Sequence, residues 1–154
     1  MATTNKLPTR NELVISALSK TDSKWYQFER KLQLYLLEKF ENNRAKILDA
    51  FYTGFTKALV KCGTFIGSIT VDLILADFKE EDRSELFITQ EMLAAFGPAS
   101  MVNDISFNVI NRECDTIKLL LEQSGFTRVQ VKGGFGNKGH VRDTYAYIHS
   151  ISVI

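Results

Sequence analysis

The sequence predicts an α+β fold, in which N-terminal long amphipathic helices precede a small, mostly antiparallel sheet with two further helices. Apolar residues recur every three or four positions over residues 23–61, which is the helical period. They alternate every second position over 66–76 and 141–153, which is the strand period. The glycine-rich stretch 133–139 separates two alternating segments, and this arrangement predicts a C-terminal Gly-rich β-hairpin.

The composition is that of one globular domain preceded by a polar arm. The chain has 154 residues, 45% of them hydrophobic, and a formal net charge of +1. That length is sufficient for a single core. We therefore expect an N-terminal arm over 1–22 and a single α+β domain over 23–154. An apolar patch at 13–18 within the arm predicts a short helix, capped by Thr9 or Asn11.

The segment 23–61 carries the strongest periodic pattern and is predicted to be both a packing helix and an oligomer contact. Asn42 and Asn43 leave open whether it forms one long helix or two antiparallel helices. Its aromatic residues do not all lie on one side, and a helix that is apolar on more than one side must bury each of them. We therefore expect a second subunit to cover part of this set, which comprises Trp25, Phe28, Tyr35, Phe51, Tyr52 and Phe55.

The middle of the chain alternates between strand and helix signals. The segments 66–76 and 105–110 are predicted to be strands, with helix as the alternative for both. Between them, the acidic stretch 77–91 has a net charge of −4 and is typical of a solvated loop and a first helical turn.

Two further helices are predicted from their start and stop signals. Thr89 can begin a short helix through Phe96, which Gly97-Pro98 would end. Asn111 is a good N-cap for a helix through Ser124, and Gly125 suits the position after its end.

The glycine-rich stretch matches the spacing G-x-G-x-x-G, which occurs in phosphate-binding turns. The glycines concerned are expected to form the hairpin loop: Gly133, Gly134, Gly136 and Gly139. A dinucleotide turn requires a helix after the last glycine, whereas a strand pattern follows here. The simplest interpretation of these glycines is therefore a hairpin tip. A small nucleotide-binding enzyme is the third of our three functional hypotheses.

The hairpin is locally basic, with a net charge of +3 over residues 128–143. Its cationic side chains are candidate contacts for nucleic acid or phosphate: Arg128, Lys132, Lys138, His140 and Arg142. Together with a helix-turn-helix around Gly97-Pro98, the hairpin could form a winged-helix-like nucleic-acid-binding unit. The strand signal at 105–110 and the mixed charges of 112–124 argue against it.

No catalytic, metal or cofactor signature is found in the sequence. His140 and His149 are too far apart for a zinc-binding pair, and Cys62 and Cys114 do not form a C-x-x-C motif. Both cysteines lie among apolar residues, so we expect two reduced core thiols and a cytoplasmic location.

Our first hypothesis is a non-enzymatic assembly or structural subunit that acts through protein–protein contacts, for example as a virion or phage head–tail component. Its partners would be protein subunits in a homo-oligomer or a larger assembly formed in the cytoplasm. The winged-helix-like nucleic-acid-binding protein is the alternative. No apolar run approaches the ~20 residues of a membrane span, so we expect no membrane contact.

Overall fold

The computed structural model describes residues 7–19, 24–62, 67–136 and 145–154, and the predicted α+β fold is confirmed. The described residues form five α-helices, four strands and one 3₁₀ turn. In chain order these are α1 (Arg10–Ser19), α2 (Lys24–Cys62), β1 (Ile69–Asp72), the 3₁₀ turn (Leu75–Asp77), α3 (Glu80–Leu86), β2 (Ile88–Thr89), α4 (Gln90–Ala94), α5 (Ala99–Gln123), β3 (Gln130–Gly136) and β4 (Tyr145–Val153).

Helix α2 is a single helix of 39 residues, about 58 Å long. The helix continues through the two asparagines because Asn43 satisfies its side chain locally. The Asn43 amide donates to the Lys39 carbonyl at 2.7 Å, one turn earlier. The predicted apolar stripe forms the buried face of the helix: Leu32, Leu36, Phe40, Ile47 and Phe51.

Strand β4 is the centre of an antiparallel sheet. Strand β3 lies along one side of it, and β1 and β2 share the other side. Ile69 of β1 is opposite Val153, and Ile88 of β2 is opposite Ala146. The strand predicted at 66–76 is thus confirmed only at Ile69–Asp72, and a 3₁₀ turn follows it.

The strand prediction for 105–110 is wrong, because these residues lie inside the 25-residue helix α5. Ile105, Val109 and Ile110 are buried, a spacing that fits one face of a helix. The predicted start at Asn111 is therefore also wrong. The helix begins after Pro98, whose carbonyl accepts from the Val102 amide at 3.0 Å.

Helices α2 and α5 lie side by side and run in the same direction. The ring of Phe28 contacts the Gly97 turn at one end, and Phe51 packs on Phe126 at the other. Between these ends, Arg44 of α2 pairs with Glu113 of α5 through two hydrogen bonds of 2.9 and 2.6 Å. Helix α5 also packs on β3, where Ile110 and Cys114 approach Gly133, while α2 packs on β1, where Gly54 approaches Val71. Both long helices therefore contact the sheet.

Candidate nucleic-acid interface

Helices α4 and α5 are joined by a four-residue turn, Ala95–Pro98, at the position predicted from the sequence. Thr89 is the N-cap of α4, since its hydroxyl accepts from the Met92 amide at 3.1 Å. Gly97 has a φ of +157°, and a Cβ at this position would lie 2.9 Å from the Phe28 ring. Glycine is therefore required where the turn passes α2.

Three of the glycines predicted in the hairpin loop lie instead in strand β3: Gly133, Gly134 and Gly136. A Cβ on Gly133 would lie 2.7 Å from Ile110 and 3.0 Å from the Cys114 sulfur. The backbone of β3 can approach α5 this closely only because the strand lacks side chains there. Gly139 lies outside the described residues.

His149 ties the two strands together where the described part of the hairpin ends. One ring nitrogen lies 3.1 Å from the Gly134 carbonyl, and the ring packs on Tyr147 with centroids 4.0 Å apart. A Cβ on Gly136 would lie 2.9 Å from the same ring. This histidine therefore links β3 to β4 at the end of their described residues.

Two of the five candidate cationic contacts lie in the described residues. Arg128 is exposed and has a φ of +49°, and Lys132 is exposed on β3. Lys138, His140 and Arg142 lie outside the described residues. The structure therefore places only the base of the predicted basic hairpin.

The outer face of α5 was missed by the sequence analysis because part of it had been assigned to a strand. Phe107, Asn108 and Asn111 are exposed and neighbour each other at helical spacing. The helical spacing of the buried Ile105, Val109 and Ile110 is the signal that could have revealed this face. Exposed charges on α5 sum to −1: Asp104, Arg112, Asp115, Lys118 and Glu122.

The aromatic set of α2 is covered largely within the chain. Phe126 packs on Phe51, Tyr52 and Phe55, with ring centroids 5.4, 6.4 and 5.1 Å apart. Phe126 therefore covers part of the set that we expected a second subunit to cover, while Tyr52 is still 39% exposed. Tyr35 packs on Phe96 at 5.0 Å, and the side chain of Trp25 lies outside the described part of the chain.

The two cysteines differ in exposure. Cys114 is buried as expected, and burial raises the pKa of its thiol to about 12. Cys62 is exposed at the last residue of α2, so its predicted core position is wrong. The apolar residues next to Cys62 in the sequence belong to the C-terminal end of α2. This end continues beyond Gly54, the residue at which α2 contacts β1.

An open groove of about 640 Å³ lies between α2 and the segment from β1 to α3. Its walls carry both signs of charge, and Lys46 pairs with Asp82 across 2.8 Å. Within the described residues, no group of three or more His, Cys, Asp or Glu side chains could hold a metal ion. The described residues of the groove therefore form a polar surface with paired charges and do not indicate a particular ligand.

None of the helices in the described residues is both long and apolar enough to cross a membrane. Comparisons with protein families, with curated proteins and with solved structures find no match for this chain.

Proposed function

We propose that the chain is a nucleic-acid-binding protein with a winged-helix-like arrangement. The observation that supports this most is the order and pairing of its C-terminal elements. Helix α3, strand β2, helices α4 and α5, and the β3–β4 hairpin follow each other, and β2 pairs with β4 on the side opposite β3. Strand β2 thus joins the short α4–turn–α5 unit to the sheet of the hairpin, and in a helix-turn-helix the second helix of such a unit lies in the major groove.

The corrected helix removes one of the two objections from the sequence. Residues 105–110 belong to α5, which occupies the position of a recognition helix after the Ala95–Pro98 turn. The second objection remains, because the exposed charges of α5 sum to −1. Attraction to phosphates must therefore come from the hairpin, whose net charge over 128–143 is +3.

Duplex binding measured by fluorescence anisotropy tests the proposal. A labelled DNA duplex of about 20 base pairs is titrated from about 50 to 200 mM salt. We expect log K to fall linearly with log salt, and Lys138→Ala/Arg142→Ala to reduce the slope by about two. Lys57→Ala/Lys61→Ala is the matched control, since it removes two exposed cations from α2.

Two results contradict nucleic-acid binding through the hairpin. One is the absence of duplex binding even at the lowest salt. The other is an equal loss of slope in the hairpin variant and in the α2 control, since this would mean that binding follows total charge. A shared order of elements supports function only by analogy, so these binding data decide the proposal.

Self-assembly is a second candidate, favoured by exposed apolar side chains at the N-terminal side of the chain. Leu13 of α1 is 57% exposed and Val60 at the end of α2 is 82% exposed. Thr9 begins α1 with a reciprocal pair of hydrogen bonds to Glu12, which stabilises the start of the helix that carries Leu13. Such positions suit contacts with other subunits, including those of a particle such as a virion.

Light scattering after size exclusion tests this second role. We expect an oligomer of the full chain, and a shift toward monomer for Leu13→Ser/Ile15→Ser, which changes two exposed residues of α1. A monomeric wild-type chain at micromolar concentration contradicts it. Both candidate functions fit a cytoplasmic location, which we propose because both cysteines are free thiols.

A further inference from the structure

The outer face of α5 holds an aromatic ring in a defined position beside the hairpin. Phe107 is 48% exposed, on a helix whose buried side packs against α2 and β3. One edge of its ring rests on β3, because a Cβ placed on Gly134 would lie 3.2 Å from the Phe107 Cε2 atom. The ring therefore has one fixed side and one side open to a partner.

The backbone on which Phe107 rests is itself constrained. Gly134 has a φ of +140°, a conformation that L side chains rarely adopt, and its carbonyl lies 3.1 Å from a His149 ring nitrogen. A side chain at position 134 would be strained and would also push against Phe107. The absence of a side chain at Gly134 thus lets the ring lie directly on the backbone of β3.

Polar, uncharged groups lie next to the ring. Asn108 follows it directly and Asn111 lies one helical turn further, and both are exposed. Asp104 and Asp115 lie one turn before and after this pair, on the same exposed face. Their carboxylates repel phosphates, so this part of α5 suits the edges of bases better than the nucleic-acid backbone.

We propose that the α5 patch, defined as Phe107, Asn108 and Asn111, recognises adenine–thymine pairs in the major groove of duplex DNA. A phenyl ring can contact the 5-methyl group of thymine, and an asparagine amide can form two hydrogen bonds to the N6 and N7 atoms of adenine. This inference rests on the proposed function. It adds which bases are bound and which side chains bind them, while the basic hairpin binds phosphates.

The test begins with selection of bound sequences from a pool of random DNA duplexes. We expect wild-type protein to enrich adenine–thymine pairs. In the selected duplex, replacement of thymine by deoxyuridine removes only the methyl group and should weaken wild-type binding about fourfold for each contacted thymine. Phe107→Ala should bind the thymine and deoxyuridine duplexes equally. Asn111→Ala should lose about tenfold in affinity for the selected duplex over a scrambled one.

Leu119→Ala is the matched control, because Leu119 is 56% exposed on the same helix three turns beyond Phe107. It should keep the wild-type preference for thymine. Circular dichroism and thermal unfolding establish that each variant is folded. Phe107→Leu, which keeps an apolar side chain, should retain part of the thymine preference.

The outcomes separate this inference from the function on which it rests. If no duplex binds at low salt, the proposed function fails. If duplexes bind but Phe107→Ala discriminates thymine from deoxyuridine as well as wild type does, the inference is wrong and hairpin-mediated binding stands. Selection of duplexes without enriched adenine–thymine pairs also overturns it.

Discussion

The two long helices use their apolar residues differently. Helix α2 directs its stripe into the core, where Leu32, Leu36 and Phe51 are fully buried, and Phe126 covers the aromatic residues near its end. Helix α5 is buried on two flanks by α2 and β3, yet it leaves Phe107 half exposed beside the hairpin.

The comparison of the two helices distinguishes residues that are needed for stability from residues that are available for binding. A buried aromatic side chain that contacts several others is accounted for by the fold alone. An exposed aromatic ring that rests on a glycine contributes little to the core and remains available to a partner.

The largest loss of stability should follow truncation in the core of α2. Phe51→Ala removes a fully buried ring that packs on Phe126, and it should cost about 4 kcal/mol in the free energy of unfolding. The matched substitution on α5, Phe107→Ala, should cost about 0.5 kcal/mol, as is usual at the surface. Urea unfolding measures both, and similar losses at the two positions would erase the distinction between the helices.

The link between the helices should be the next most sensitive. Arg44→Ala leaves the Glu113 carboxylate, 5% exposed, without its two hydrogen bonds from the guanidinium. Removal of one partner of a buried ion pair costs about 3 kcal/mol, and we expect a loss of that order by urea unfolding. Lys39→Ala is the control, because its partner Glu85 is 42% exposed and such pairs contribute about 0.5 kcal/mol. Equal losses would show that the α2–α5 pair is no more important than a surface pair.

The close contact between α5 and β3 should tolerate no side chain. Gly133→Ala places a Cβ 2.7 Å from Ile110 and 3.1 Å from the Tyr147 carbonyl, so one element must shift. Overpacking of this kind costs about 2 kcal/mol, which a thermal unfolding scan detects. Gly67→Ala meets nothing within 4 Å and should unfold like wild type. A stable Gly133→Ala would mean that α5 does not lie this close to β3.

The smallest expected effect is a pH dependence at Glu113. Burial raises the pKa of this carboxyl, and the hydrogen bond from Arg44 offsets only part of that rise. The folded state then binds the proton more tightly than the unfolded state. The contribution to stability is therefore complete below the unfolded pKa of about 4.3 and is lost as pH rises through the folded-state pKa. Wild type should gain stability relative to Glu113→Gln as pH falls through this window, and the opposite trend would contradict the burial.

The helical character of α2 was predictable because its period persists over ten turns and no proline interrupts it, whereas its continuity through Asn42 and Asn43 was left open. The segment 105–110 was not, since six residues rich in Ile, Val and Phe fit both a strand and a buried helix face. Pro98, which immediately precedes α5, is a signal that favours a helix after it, since proline is common at helix starts.

The candidate interface was only partly predictable. The basic hairpin and the turn at Gly97-Pro98 can be recognised from local composition. The packing of Gly133 on Ile110 and Cys114 joins residues about twenty positions apart, so no local pattern indicates it. Phe126 and Phe51 are even further apart in the sequence, so their contact could not be predicted. For this reason we expected a second subunit to cover Phe51.

The most direct test of nucleic-acid binding at this face is an NMR titration of the isotope-labelled chain with duplex DNA of about 20 base pairs. We predict that backbone shifts change over 100–112 of α5 and over the hairpin strands β3 and β4, while α2 residues 32–51 remain unchanged. Shifts confined to α1 and the end of α2, or no shifts at low salt, would contradict the account.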